Sequence, residues 1–488
     1  MAFFNECIFE KSPNFYLSVF GRFTTFEGTK FKEGGEFISS IFQGHLFLNS
    51  VLDAEGKVEK LFQSDGKLDF TWAYIYGPLT ISDSIFLDDL VLNQVNIGGM
   101  LIAEGAVFLE HSTLILTSSQ IRNECKIVRC SFKKSENKCA DFGSTEFLGG
   151  LIIQNCSVIN GKVSLYNAKV LKDLLIGEYK EEEKSNPHES FNITFNEEVN
   201  FSDLQVDGSF SCYRVNYKKS TNCADILVKG QVYLMTSKFE MDTNFNRSEF
   251  AGIFGTNSIY EDIVRFEGSK FRKAVRFLDG CHFKNGAEFY FAQFEDEVNF
   301  GGAKIAVNLS LKNTRFRHSL LFELKNIYGP SKIAFDDSKT KTKLDLHACT
   351  YETMLFPDNF KTLDDFINRM PKDDRSTWIF FEQFLRRTGR IDNANKIRRY
   401  WNTYEGEKTR LLSFKWIEDK VFRYLTRYGT SIWIIVSIVF LLILGNDLIR
   451  IIWEKEKWTI LIHTALNGLA VAGGGVAADA LRRRTWPE

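Results

Sequence analysis

The residue types that most often carry chemistry are present in this chain but dispersed. Seven histidines stand at His45, His111, His188, His282, His318, His347 and His463, and none has a carboxylate or a cysteine at an interval that ligates a metal. Nine cysteines are scattered without a CxxC pair, which argues against a zinc ribbon or a dithiol redox centre and for a reducing compartment. Cys125 and Cys130 are one five-residue step apart, with Cys139 beyond, a spacing that suits core filling better than a ligand set. No GxSxG elbow, Walker loop, HExxH pair or framed pair of carboxylates occurs. The expectation is a protein with no catalytic activity, cofactor or metal. One polar pair has an unusual setting: His463 and Asn467 lie one helical turn apart in an apolar stretch, where an ionisable ring is a candidate proton-transfer or gating group.

What must position these groups is legible in the phenylalanines. There are 46 Phe in 488 residues against 7 Pro and 6 Met. Phe266, Phe271, Phe277, Phe283, Phe289, Phe294 and Phe300 follow one another at intervals of five or six, continued by Ile305, Leu311 and Phe316. The interval recurs in Phe26, Phe31, Phe37, Phe42 and Phe47, and in Phe70, Ile75, Ile81, Phe86, Leu92 and Ile97. Neither the 3.6-residue helical period nor the two-residue strand period generates that series. A coil that turns a corner every five or six residues does. Gly28, Gly34, Gly268, Gly286 and Gly301 fall between the large residues, where a bulky side chain would obstruct a corner. One large side chain per face then points inward, and neighbouring coils stack them in a column. The array is expected over residues 20–355, with residues 1–19 as an N-terminal cap. Weaker stretches near 50–65, 118–140 and 178–225 predict insertions or distorted coils, and charged residues 177–190 read as an exposed loop.

This array resembles the pentapeptide-repeat proteins, in the Phe-rich variant whose five- and six-residue units alternate. The resemblance implies an all-β, right-handed quadrilateral β-solenoid with about four faces per coil. Roughly 22 residues per coil would give about a dozen coils and a rod of ~60–70 Å at the ~4.8 Å spacing of strands. The chain departs from the family's alanine-rich pattern of small residues two positions before the central one.

From residue 356 the period is lost, and residues 356–428 read as a helical neck. Trp378, Phe381, Phe384 and Leu385 share one helical face, Gly389 stops that helix, and Asp392 is placed to cap the next, whose stripe is Ala394, Ile397, Tyr400 and Trp401. An antiparallel helical hairpin is predicted. "RRTGR", "NANKIRRYW" and "RYLTRYGTSIW" make this stretch similar to the region after the repeats in a membrane-bound subset of pentapeptide-repeat proteins. Residues 429–454 and 458–481 are candidate transmembrane helices, followed by a basic tail at 482–488. Gly468, Ala470, Gly473, Gly474, Ala477 and Ala478 offer small surfaces for helix packing, within one hairpin or between subunits of a homo-oligomer. Arg423 and Arg427 before the first span and Arg482 to Arg484 after the second put solenoid and both termini in the cytoplasm, in a multi-pass protein of the bacterial inner membrane. The connector "EKEK" is too short for a pore helix and selectivity filter.

The net charge of −1 divides unevenly: residues 1–350 hold 39 Lys+Arg and 45 Asp+Glu, the remainder 22 and 17. Six excess acids over 350 residues are too dilute to mimic duplex DNA, as some pentapeptide-repeat proteins do toward topoisomerase, so no nucleic-acid partner is expected. The expected function is a non-enzymatic, membrane-anchored scaffold or sensor whose rod binds a protein partner, with an anti-phage, abortive-infection effector as its sharper form. A filterless oligomeric pore and a DNA mimic are the alternatives. Recognition is expected on polar residues between the rings, such as Arg272, Lys273, Arg276 and Glu295, or in the loops that break the period.

Overall fold

A computed structural model describes residues 1–133, 137–178, 191–278, 280–299, 303–317, 320–321, 334–335, 343–345, 354–355, 367, 375–387 and 389–408. The chain forms two compact units, Met1–Phe380 and Phe381–Glu488.

The first unit is a parallel β-solenoid of about 13 turns with a spacing of about 22 residues. Each coil contributes four short strands, and each pairs in register with its counterpart in the next coil. Tyr74 pairs with Asn96, Leu79 with Leu101, Ile85 with Val107 and Leu90 with Leu114, one ladder per face. Two of the ladders run together as a 24-stranded sheet, and the other two form sheets of 14 and 13 strands. In the two-residue strands of the 14-stranded sheet the second side chain faces inward, as with half-buried Ile85 and buried Phe86, whereas in the 13-stranded sheet the first one does, as with buried Val264 and half-buried Arg265.

The rod starts earlier than the expected boundary at residue 20. Ala2–Phe3 already pairs with the strand Phe23–Thr25, and Ile8–Phe9 with Lys30–Phe31, so the stretch read as a cap is itself a coil. The cause is visible in Phe4, Phe9, Phe15 and Phe20, which keep the interval and stack on Phe26, Phe31, Phe37 and Phe42 at 4.8, 4.9, 5.0 and 4.6 Å. The predicted irregular stretches are where extra chain enters. Ile41 pairs with Tyr74 because the hairpin of Val51–Leu52 and Val58–Lys60 lies between them. A bulge between Lys138 and Ala140 takes up part of the second, and Lys169 pairs with Gln205 across the third, whose residues 179–190 lie outside the described set.

Phe26, Phe31, Phe37, Phe266, Phe271, Phe277, Phe289 and Phe294 are all buried, while Phe300 lies outside the described residues. Their rings form separate columns on different faces rather than one axis. Phe245, Phe266 and Phe289 stack at 5.0 and 4.8 Å, and Phe250, Phe271, Phe294 and Phe316 at 5.4, 4.7 and 4.9 Å. Phe277 departs from the stack: it meets Phe283 edge-on at 5.1 Å and 85° and fills the space left by Gly255 in the coil before.

Beside the rings, small buried hydroxyl residues recur on more than one face. Ser40, Ser84, Ser119, Ser248 and Ser269, each two residues before a central residue, are buried. The hydroxyls of Ser40, Ser84 and Ser119 donate to the carbonyls of Phe15, Leu48 and Leu92 at 2.6 Å, and that of Ser248 to Cys223 at 2.9 Å. A small buried residue therefore recurs two positions before the central one, a hydroxyl here and a methyl at Ala73, Ala106, Ala168 and Ala292. Each hydroxyl thereby finds an acceptor inside the rod, where an unpaired one would be costly. Glycine is also less obligatory than the spacing implied: Gly28, Gly34, Gly268 and Gly286 have positive φ, but so do Trp72, Gln94 and Phe291 at other corners.

The helical part comprises α1 (Arg375–Arg387) and α2 (Ile391–Lys408). Gly389, at φ +77°, donates to the Arg386 carbonyl at 3.1 Å and Arg390 to Leu385 at 2.8 Å, the paired bonds of a Schellman stop. Trp378, Phe381, Leu385, Ala394, Ile397 and Trp401 are buried as the helical spacing implied. Two details differ. Tyr400 is 42% exposed and leaves the stripe. Asp392 sits inside the first turn, and Arg390 occupies the cap, its carbonyl accepting from Ala394 at 3.1 Å. No helix among the described residues is long and apolar enough to cross a membrane. Residues 409–488, with both candidate spans, His463, Asn467 and the small residues from Gly468 to Ala478, lie outside the described set.

Candidate functional site

The exterior charges largely engage one another between coils. Arg272 pairs with Glu249, Arg276 with Glu297 at 3.3 Å, Lys270 with Glu295 at 3.0 Å and Lys229 with Asp207 at 2.9 Å, while Arg247 grips Asp225 through two bonds of 2.8 and 2.6 Å. Arg272, Arg276 and Glu295, expected to recognise a partner, thus serve coil-to-coil pairing, each exposed pair contributing up to about 1 kcal/mol. An amide ladder does the same on another face, with Asn222 donating to Asn200 at 3.4 Å and Asn244 to Asn222 at 3.2 Å.

Asp69 is the most enclosed of these charges. Burial raises its carboxyl pKa, yet the Lys67 ammonium at 2.8 Å and the Thr71 hydroxyl and N–H at 2.6 and 2.9 Å outweigh it and hold the group below the usual carboxylate range. Its contribution to stability is therefore complete above the unfolded value of about 4 and is lost as pH falls through the lower folded value. Asp69→Asn should cost about 1–2 kcal/mol at neutral pH. In urea titrations the gap from the parent protein should close on acidification; a gap independent of pH would refute the assignment.

The thiols are enclosed too. Cys125, Cys130 and Cys139 are buried, Cys130 sits against Cys156 of the following coil, and burial pushes the Cys212 thiol up to about 12 beside the Tyr217 hydroxyl at 3.3 Å. Protonated thiols in an apolar core are poor nucleophiles and ligands. Among the described residues no three His, Cys, Asp or Glu side chains converge on a metal position.

Two features do stand out toward solvent. The first is an aromatic band over the opening coils, where the outward ladder Val19, Ile41 and Tyr74 runs in register. Val19 is 62%, Trp72 60% and Tyr76 59% exposed, and the Tyr74 and Tyr76 rings lie 4.5 Å apart. On the adjoining strands exposed Phe3 and Phe23 and half-buried Phe47 make a second row, with ring centroids 6.1 and 5.0 Å apart. The five- or six-residue interval marks the inward residues and not these outward ones. The signal was in the residue immediately before each central one: Val, Ile and Tyr at 19, 41 and 74, but Asn, Gln, Glu and Lys at 96, 120, 146 and 169.

The second is a cleft of about 420 Å³ lined by Thr117, Ser118, Lys138, Asp141, Gly143, Ser144, Lys162, Val163, Ser164, Tyr166, Glu198 and Asn200. Lys138 pairs with Asp141 at 2.7 Å and Lys162 with Glu198 at 2.8 Å. The chain matches no protein-family model, no curated protein and no solved structure.

Proposed function

We propose that the chain is a non-enzymatic, membrane-anchored scaffold or sensor: a pentapeptide-repeat-like rod that holds a protein partner and a C-terminal transmembrane hairpin that fixes it to a bacterial inner membrane. The observation that carries the partner-binding part is the aromatic band. Exposed Trp and Tyr clustered on a rigid face, with charge absent from its centre, have the composition of protein-binding hot spots. Many charges elsewhere along the described rod are engaged in pairs between coils. The anchoring part rests on the apolar sequences at 429–454 and 458–481. The DNA-mimic alternative is opposed by the ion pairs, which set a cation against an acid of the neighbouring coil at several described positions. Assembly of the hairpins into a filterless pore, with an anti-phage role, would build on the same anchor.

The test is site-specific photocrosslinking in cells, with a benzophenone amino acid at position 72 or, as control, at position 276. Discrete protein adducts from position 72 alone, in a membrane pellet that resists carbonate extraction, are expected. No adduct at 72 would overturn the partner-binding face, and adducts wholly in the soluble fraction would overturn the anchor.

A further inference from the structure

The polar cleft has a chemistry of its own: the strands that carry Asp141, Ser164 and Asn200 belong to the 13-stranded sheet, those that carry Val19, Ile41 and Tyr74 to the 24-stranded one. It exists because the coils are uneven there: the strand containing Lys138 shifts register at Ala140 against Lys162 and Val163 of the coil that follows. The in-register series Asp141, Ser164 and Asn200 forms one side of the opening, and Lys138, paired in register with Lys162, stands nearby. The volume, about 420 Å³, is in the range of small-molecule sites.

We propose that this cleft binds a neutral, hydroxyl-rich ligand of the carbohydrate class, a mono- or disaccharide unit. Three observations carry it. First, two ammonium groups and two carboxylates line the cleft and are already paired, at 2.7 and 2.8 Å. A charged ligand must break one of those pairs and leave its partner uncompensated. A sugar hydroxyl need not, because it donates to a carboxylate oxygen and accepts from an ammonium at once. Second, Tyr166 is 48% exposed at the cleft and takes part in no aromatic contact among the described residues. Its ring is available to the C–H face of a pyranose. Third, Asn200 spends its Oδ1 on Ser202 and Asn222, whereas its Nδ2 donates to nothing among the described residues. That amide is a ready donor for a ring or hydroxyl oxygen.

The experiment uses the full-length protein in a detergent without a sugar headgroup. Maltose, cellobiose and N,N′-diacetylchitobiose are titrated calorimetrically, with inorganic phosphate and digalacturonate as charged counterparts. Saturable binding of at least one neutral disaccharide is expected, weakened at least tenfold by Tyr166→Ala and retained by Tyr166→Phe, with circular dichroism showing both variants folded. Absence of saturable binding by all three neutral sugars, tighter binding of phosphate or digalacturonate, or a Tyr166→Ala variant indistinguishable from the parent would each overturn the proposal. Because crosslinking from position 72 does not involve the cleft, failure here leaves the partner-binding reading standing, and the reverse also holds.

Discussion

Phe266→Ala should destabilise the rod by about 3–5 kcal/mol, a large share of the stability of an ordinary domain. Phe266 is fully buried and stacks face to face on Phe245 at 5.0 Å and on Phe289 at 4.8 Å. Removing it leaves a ring-sized hole that strands of fixed spacing cannot collapse, and it deletes both stacked contacts together with the inclined ones to Phe271 and Phe277. A solenoid coil contacts only its neighbours, so the loss falls on two coil interfaces and nowhere else. The comparison that isolates this is Phe9→Ala, whose half-buried ring has one stacked neighbour, Phe31 at 4.9 Å. It should cost about half as much. Urea unfolding followed by circular dichroism gives both numbers. A Phe266→Ala cost below about 1.5 kcal/mol, or equality of the two variants, would mean that the ring columns are filler rather than the source of cohesion.

The sequence was a good guide to this part because one interval carries both the corner and the core. Each five- or six-residue step contains one strand and one large inward side chain, so the interval marks the faces without reference to any distant contact, while four faces per coil is what the family resemblance implies. Three things escaped that logic. The first coil was set aside as a cap although Phe4, Phe9, Phe15 and Phe20 keep its interval, because the large residues were counted from Phe26. The buried serines escape the interval because hydroxyl residues read as solvent-facing until the carbonyls they meet, from 25 to 36 residues away in sequence, are in view. The cleft was invisible for a stronger reason. Asp141, Ser164 and Asn200 come together through two coil lengths that differ, and an interval analysis records such differences as noise.

The same limit shows at the corners, where Gly28 and Gly34 look equivalent in sequence but should respond oppositely to substitution. Both have positive φ, at 62° and 79°. At the corner of Gly28 other coils place Glu6, Asp83 and Arg129 with φ between 51° and 58°, so the fold already accommodates side chains there. A Cβ on Gly28 would first meet the Lys60 Cβ at 3.0 Å, on an exposed hairpin. Gly28→Asn, which also tolerates the left-handed region, should therefore change stability by less than about 1 kcal/mol. A Cβ on Gly34 would lie 2.1 Å from the Lys67 carbonyl oxygen and 2.7 Å from the Lys67 nitrogen, both main-chain atoms of the next coil. Gly35 N–H donates to that same carbonyl at 3.0 Å, so the oxygen cannot move away without breaking a bond between coils. The left-handed backbone costs about 1 kcal/mol for a residue with a Cβ and the overlap a further ~2, which puts Gly34→Ala near 3 kcal/mol. Urea midpoints of the two variants decide the matter: parity between them would show that the corner between these faces gives way, and that the rod's coils are held by their rings alone.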